Sequence, residues 1–102
     1  MTTLRVVITV EAEGDLESIV TYLGQESPTQ AILTVERLER ASLALGDAAL
    51  RYPLVVNHEA SGIRRRVTGS YNIYYRVKAG LVEVVHILHA ARDAERILFL
   101  DD

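Results

Sequence analysis

The chain has 102 residues, 49% hydrophobic and 25% charged, with a formal net charge of -3 and no cysteine. That length supports one hydrophobic core, so residues 1–102 are expected to form a single domain, and the composition excludes wholesale disorder. Disulfide and thiolate chemistry are excluded, and no apolar run of about 18 residues is present to span a bilayer.

Met1-Thr2-Thr3 leads straight into strand-like sequence, without the basic start and apolar stretch of a signal peptide, so a cytoplasmic location is expected. Charge is unevenly placed. Glu11 to Glu26 carries five acids and no base, whereas Gly62 to Val77 carries four arginines and no acid. Local sign, more than the net sum, decides what a surface attracts.

Leu4-Arg5-Val6-Val7-Ile8 is rich in β-branched residues and too short for a helix, which predicts a strand. Thr9 then stands where an N-cap belongs, and Glu11, Glu13 and Asp15 follow where the helix dipole favours carboxylates. Ala12, Leu16, Ile19, Val20 and Leu23 recur on one helical face, and Gly24 closes the segment. Ser27-Pro28-Thr29-Gln30 is a capping-box start for a second helix reaching about Gly46, with Ile32, Val35, Leu38, Ser42 and Leu45 as its expected apolar stripe. Arg37, Glu39 and Arg40 fall off that stripe, on a solvated outer face. Two helices with so short a link form an antiparallel hairpin.

Asp47 to Asn57 is a connector in which Pro53 prevents the helix from continuing, while Leu50, Tyr52, Leu54 and Val55 tuck under the sheet edge. Three strands follow, Ile63 to Thr68, Tyr71 to Lys78 and Leu81 to His89, separated by the tight turns Gly69-Ser70 and Ala79-Gly80. The second should place Tyr71, Ile73, Tyr75 and Val77 on one face; the third is nearly continuous apolar sequence, as an inner strand requires. The order β-α-α-β-β-β predicts an α+β domain with a helical hairpin packed on one face of a mainly antiparallel sheet.

Chemistry is sparse. His86 and His89 are three apart in a strand and should point to opposite sides, so no metal site is expected. There is no Gly-x-Ser-x-Gly elbow and no Gly-rich phosphate loop, so neither nucleophilic catalysis nor a cofactor is expected. General acid–base cleavage of RNA is the enzymatic option, with His89, Arg64 and Arg92 as its candidate residues. Alternation would let Arg64, Arg66, Tyr74 and Arg76 share the sheet face away from the helices, with His89 and Arg92 just beyond the last strand. Arg65 goes to the opposite face, with Ile63 and Val67. The competing reading is structural: exposed strands carry arginine for solubility, His89 pairs with Asp93 or a carbonyl, and Arg92-Asp93 is a surface ion pair worth about 0–1 kcal/mol.

Several short motifs occur in a familiar order. They are Ala12-x-x-Asp15-Leu16-x-x-Ile19-x-x-Tyr22, Pro28 and Ala31, Tyr52-Pro53, Gly62-Ile63-Arg64, Tyr71-x-Ile73-x-Tyr75-Arg76-Val77 and Ile87-Leu88-His89-Ala90-Ala91-Arg92-Asp93. In that order the chain resembles the RelE/ParE superfamily of type II toxin–antitoxin toxins, closest to the ParE branch, over about Leu4 to Leu98. It departs from the pattern at Ala90, where the ParE form usually has glycine, and at Val10, where a proline often starts the helix.

The resemblance implies a toxin that inhibits DNA gyrase by binding and is neutralised by a ParD-like antitoxin; it does not itself bind DNA sequence-specifically. Arg64, Arg66, Tyr74, Arg76, His89 and Arg92 would be the target or antitoxin contacts. The antitoxin would lay apolar side chains along the helical hairpin and sheet edge and bring acids to the arginine strand. The apolar tail Ala94 to Leu100 would pack on its own domain or on the antitoxin. Two alternatives stay open, a RelE-like ribosome-dependent mRNA endonuclease and a degenerate toxin that only binds antitoxin. A single lysine, Lys78, and a negative net charge argue against a ribosomal-RNA surface.

Overall fold

The computed structural model describes residues 3–100; Met1, Thr2, Asp101 and Asp102 lie outside them. Strand β1 (Arg5–Ile8) leads into helices α1 (Val10–Gly24) and α2 (Pro28–Leu43), a 3-10 turn (Ala44–Asp47), a connector, and strands β2 (Arg64–Thr68), β3 (Tyr71–Lys78) and β4 (Leu81–His89). A short third helix, α3 (Ala94–Phe99), closes the chain. The sheet order is β1-β4-β3-β2, with β1 parallel to β4 and the other pairs antiparallel.

Caps explain the helix starts. The Thr9 hydroxyl accepts from the Ala12 N–H at 3.2 Å and donates to the Val84 carbonyl at 2.8 Å, so one residue ends β1, starts α1 and ties both to β4. Ser27 accepts from the Gln30 N–H at 3.2 Å, with Pro28 at the first helical position. The β3–β4 turn has positive φ at both central residues, Ala79 (52°) and Gly80 (77°), the mirror-image turn that matches strand twist.

The main core lies between the helical hairpin and the sheet, built on Ala12, Leu16, Leu38, Leu45, Ile73, Tyr75, Val82, Val84 and Ile87. The expected α2 stripe holds at Leu38, Ser42 and Leu45, with Val35 partly buried against the core, and fails only at Ile32, whose place is taken by Ala31. Ala31, Leu38, Ala41 and Ser42 face inward, and Ile32 is 57% exposed. Small residues let the helix approach α1 closely, and Ser42 is satisfied by the Leu38 carbonyl at 2.8 Å.

A second apolar cluster covers the other sheet face, where Ile63, Tyr74 and Leu88 are buried beneath Ala94, Ile97, Leu98 and Phe99. The tail therefore packs on its own domain, as a helix. Its N-cap is Asp93, which accepts from the Arg96 N–H at 3.3 Å; this, rather than a pair with Arg92 or His89, is the role of Asp93. His58 holds the tail from the connector, stacking on Phe99 at 3.8 Å between centroids and bonding Glu95 at 2.7 Å.

Tyr75 is fully buried, with its hydroxyl donating to the Ala49 carbonyl at 2.8 Å, and burial raises its phenol above the ordinary value of 10.0. The unfolded phenol ionises first, so its contribution to stability is complete below pH 10.0 and is lost as pH rises through the folded pKa. Tyr75→Phe should cost about 1 kcal/mol at neutral pH. It should also flatten the fall of urea stability above pH 10.0; an unchanged alkaline limb would assign that limb to other groups.

Candidate functional site

The six candidate contacts do not share one surface. In the β2–β3 register Arg64 lies opposite Tyr75 and Arg66 opposite Ile73, and cross-strand partners share a face. Both arginines therefore stand on the helix side of the sheet edge, not on the face away from the helices. Arg64 donates to the Tyr52 carbonyl at 2.7 Å, fastening the connector. Arg66 donates to the Ala41 carbonyl at 2.8 Å, in the last turn of α2, and its guanidinium lies 5.2 Å from the Tyr52 ring centroid. A cation is well placed there, because the last turn exposes unpaired carbonyls.

Tyr74 is on the opposite face and is buried under α3. Arg76 sits near the β3–β4 turn and pairs with Glu83 at 2.8 Å. The expected strand surface is thus divided into three places, with Arg64 and Arg66 bonded to the chain's own carbonyls.

His89 and Arg92 do stay together. Both are exposed, and both line a cleft of about 550 Å³ between α1 and the end of β4, together with Asp15, Ser18, Tyr22 and Tyr71. His89 meets Tyr71 edge-on, with ring centroids 5.3 Å apart and planes at 85°. The His89 Nδ1 accepts from the Ala91 N–H at 3.0 Å, which in the neutral ring puts the proton on Nε2 as a donor. The Arg92 N–H donates to the His89 carbonyl at 2.9 Å, and the Ala90 N–H to the Ser70 carbonyl at 2.8 Å, so the His89–Arg92 corner is held by backbone bonds. Among the described residues the Arg92 side chain has no hydrogen-bond or ion-pair partner.

A second cleft of about 330 Å³ adjoins the first and is also lined by Tyr22, Tyr71 and His89, with Arg37, Thr34 and Thr68 beyond them. Arg37 was expected only as part of a solvated face; no local signal in α2 marks it, because its neighbours come from β2 and β4. Burial raises the Tyr71 phenol above 10.0, and the neighbouring Tyr22 phenol adds to the effect.

The wall of the first cleft rests on Asp15. Strand β1 ends opposite Val84, which leaves the outer edge of β4 without a strand partner from there on. Asp15 fills that place. Its Oδ2 accepts from the Ile87 N–H at 2.8 Å and lies 2.8 Å from His86 Nδ1. A bulge in β4 opposite Tyr74 and Tyr75 interrupts the simple alternation here; beyond it His86 lies opposite Tyr74 and His89 opposite Tyr71, so the two histidines fall on opposite faces, as their spacing predicts. No group of three or more metal-ligating side chains is assembled among the described residues.

No helix among the described residues is long and apolar enough to cross a membrane. Residues 6–94 match the model of a family described as the ParE toxin of the type II toxin–antitoxin system parDE. The chain is 38% identical over 89 residues to toxin RelE2 of Caulobacter vibrioides, covering 86% of this chain and 97% of that one. Among solved structures it is similar to the chromosomal ParDE toxin–antitoxin system of P. aeruginosa, with a TM-score of 0.72 at 20% identity, covering 85% of this chain and 96% of that chain. The toxin–antitoxin complex RelBE2 of Mycobacterium tuberculosis is similar with a TM-score of 0.59 at 21% identity, over 85% and 98% of the two chains.

Proposed function

The chain belongs to the ParE toxin family of type II toxin–antitoxin systems, and from that premise we propose that it inhibits DNA gyrase by binding and is silenced by a ParD-like antitoxin. The observation that favours binding over RNA cleavage is the separation of His89 from Arg64, the pair that would supply acid–base chemistry and phosphate contact. His89 lies opposite Tyr71 and Arg64 opposite Tyr75. They are about 13 Å apart along the strands and two strand spacings apart across the sheet. A general base works within about 3 Å of the proton it moves. Arg64 is also bonded to the connector. In this reading the target is met by His89 and Arg92, while Arg64, Arg66 and Tyr74 maintain the fold that presents them.

The antitoxin lies along the hairpin. The groove between α1 and α2 is floored by Leu16, Val20 and Val35 and rimmed by Glu13, Glu17 and Glu39. Ile32 and Leu33 stand exposed on the same hairpin. Apolar side chains of a segment that folds on binding fit the floor, and the rim calls for basic residues beside them rather than acids.

The test is a supercoiling assay with purified chain, freed of antitoxin and in molar excess over gyrase. Supercoiling should stop and return when antitoxin is added. Unaffected supercoiling together with His89-dependent cutting of ribosome-bound transcripts would replace this reading with the endonuclease one. Expression without growth arrest would indicate a toxin that only titrates its antitoxin.

A further inference from the structure

The second sheet face carries a cavity of about 250 Å³ that the proposed contacts with gyrase and antitoxin leave unused. Its floor is Arg65 and Tyr74, cross-strand partners that share this face. One wall is the connector, laid along the edge of β2 by two backbone bonds. The Arg65 N–H donates to the Pro53 carbonyl at 3.0 Å, and the Val55 N–H to the Ile63 carbonyl at 2.9 Å. The other wall is α3, which His58 fastens through Glu95 and Phe99. Leu54, Val55 and Leu98 make both walls aliphatic.

Two opposite charges line this cavity without meeting. Arg65 is exposed, and among the described residues its side chain has no hydrogen-bond or ion-pair partner. Glu95 commits one carboxylate oxygen, Oε2, to His58 at 2.7 Å and forms no ion pair with Arg65. A cation and an anion held apart across an aliphatic cavity suit a molecule that carries both signs itself.

We propose that the cavity binds a free aliphatic α-amino acid of about leucine size. Its carboxylate would meet the Arg65 guanidinium, whose fork matches two carboxylate oxygens. Its ammonium, with three donors, would meet Glu95, and its branched side chain would lie against Leu54, Val55 and Leu98 over the Tyr74 ring. The volume falls just under the roughly 300–1,000 Å³ of drug-sized sites, so the ligand is small. A carboxylate alone would face the charge of Glu95, and an amine alone that of Arg65; the zwitterion answers both. Seated between the connector and α3, the amino acid would tie the C-terminal helix to the domain and stabilise the chain by mass action. Neither outcome of the supercoiling assay bears on this site.

The experiment is an NMR titration of the isotope-labelled chain with L-leucine and with two deletion analogues, isocaproate, which lacks the ammonium, and isopentylamine, which lacks the carboxylate. Saturable shifts are expected at Val55, Arg65, Ala94 and Glu95. Leucine should bind about tenfold or more tighter than either analogue, the size of one lost hydrogen bond to a charged group. Arg65→Gln should weaken leucine binding to a similar degree; Arg65 is exposed, so the variant should melt with the parent chain. Leucine should also raise the melting midpoint of the parent chain by more than that of Arg65→Gln. The proposal is overturned if leucine gives no saturable shifts at millimolar concentration. It is equally overturned if either analogue binds as tightly as leucine, since one of the two charges would then play no part, or if Arg65→Gln binds leucine like the parent chain.

Discussion

Asp15→Ala should lower stability by about 3 kcal/mol, because it removes two hydrogen bonds to a carboxylate and strands a backbone donor in the half-buried edge of β4. For a domain of this size that is a drop of about 10–20 °C in melting midpoint, taken from a total stability of about 5–15 kcal/mol. Strand β1 pairs with β4 only as far as Val84, and beyond it the Ile87 N–H meets the Asp15 carboxylate at 2.8 Å. Asp15→Asn keeps an acceptor oxygen for that N–H and should recover about half of the loss, leaving the charge-assisted contact with His86 unmade. A double-mutant cycle with His86→Ala apportions the remainder. If Asp15→Ala melted within about 2 °C of the parent chain, the outer edge of β4 would be held by something other than α1.

Asp15 also shows where sequence reading stops. Its position in the first turns of a helix is fully explained by the dipole, so nothing local announces that it closes a sheet edge 72 residues away. The same limit applies to Arg37 and His58, whose neighbours are supplied by chain pairing and not by spacing.

What was legible was periodicity and punctuation. Thr9, Ser27, Pro28 and the Ala79-Gly80 turn fixed the ends of α1, α2, β3 and β4 to within a residue or two, since caps and turns are local chemistry. The α2 stripe was legible at Val35, Leu38, Ser42 and Leu45 and differed only at its start, where the small Ala31 is buried next to Gly24 of α1 and Ile32 is exposed. The arginine strand misled. Alternation says which residues share a face, but only the register with β3 says which face looks toward the helices. Asp93, next to Arg92 in sequence, is a helix cap because the tail after it is a helix and not a loose apolar end.

The division of the arginines leads to the second large effect. Arg92→Ala should leave melting within about 0.5 kcal/mol of the parent chain, as exposed substitutions usually do. It should nevertheless weaken gyrase inhibition at least tenfold, since a charged contact at the centre of an interface is worth more than about 1.4 kcal/mol. Arg66→Ala should do the reverse. It removes the bond to the Ala41 carbonyl and the contact with the Tyr52 ring, at a cost of about 1–3 kcal/mol in stability. Measured well below its melting point, it should inhibit nearly as well as the parent chain. The pair is informative only together: each variant reports stability by urea titration and potency by supercoiling, and the two readouts should move in opposite order. Equal stability and equal loss of potency in both variants would return the working surface to the β2 edge. The expected pattern instead places it at the His89–Arg92 corner, where backbone bonds to Ser70 and His89 hold the loop and Arg92 lines the cleft.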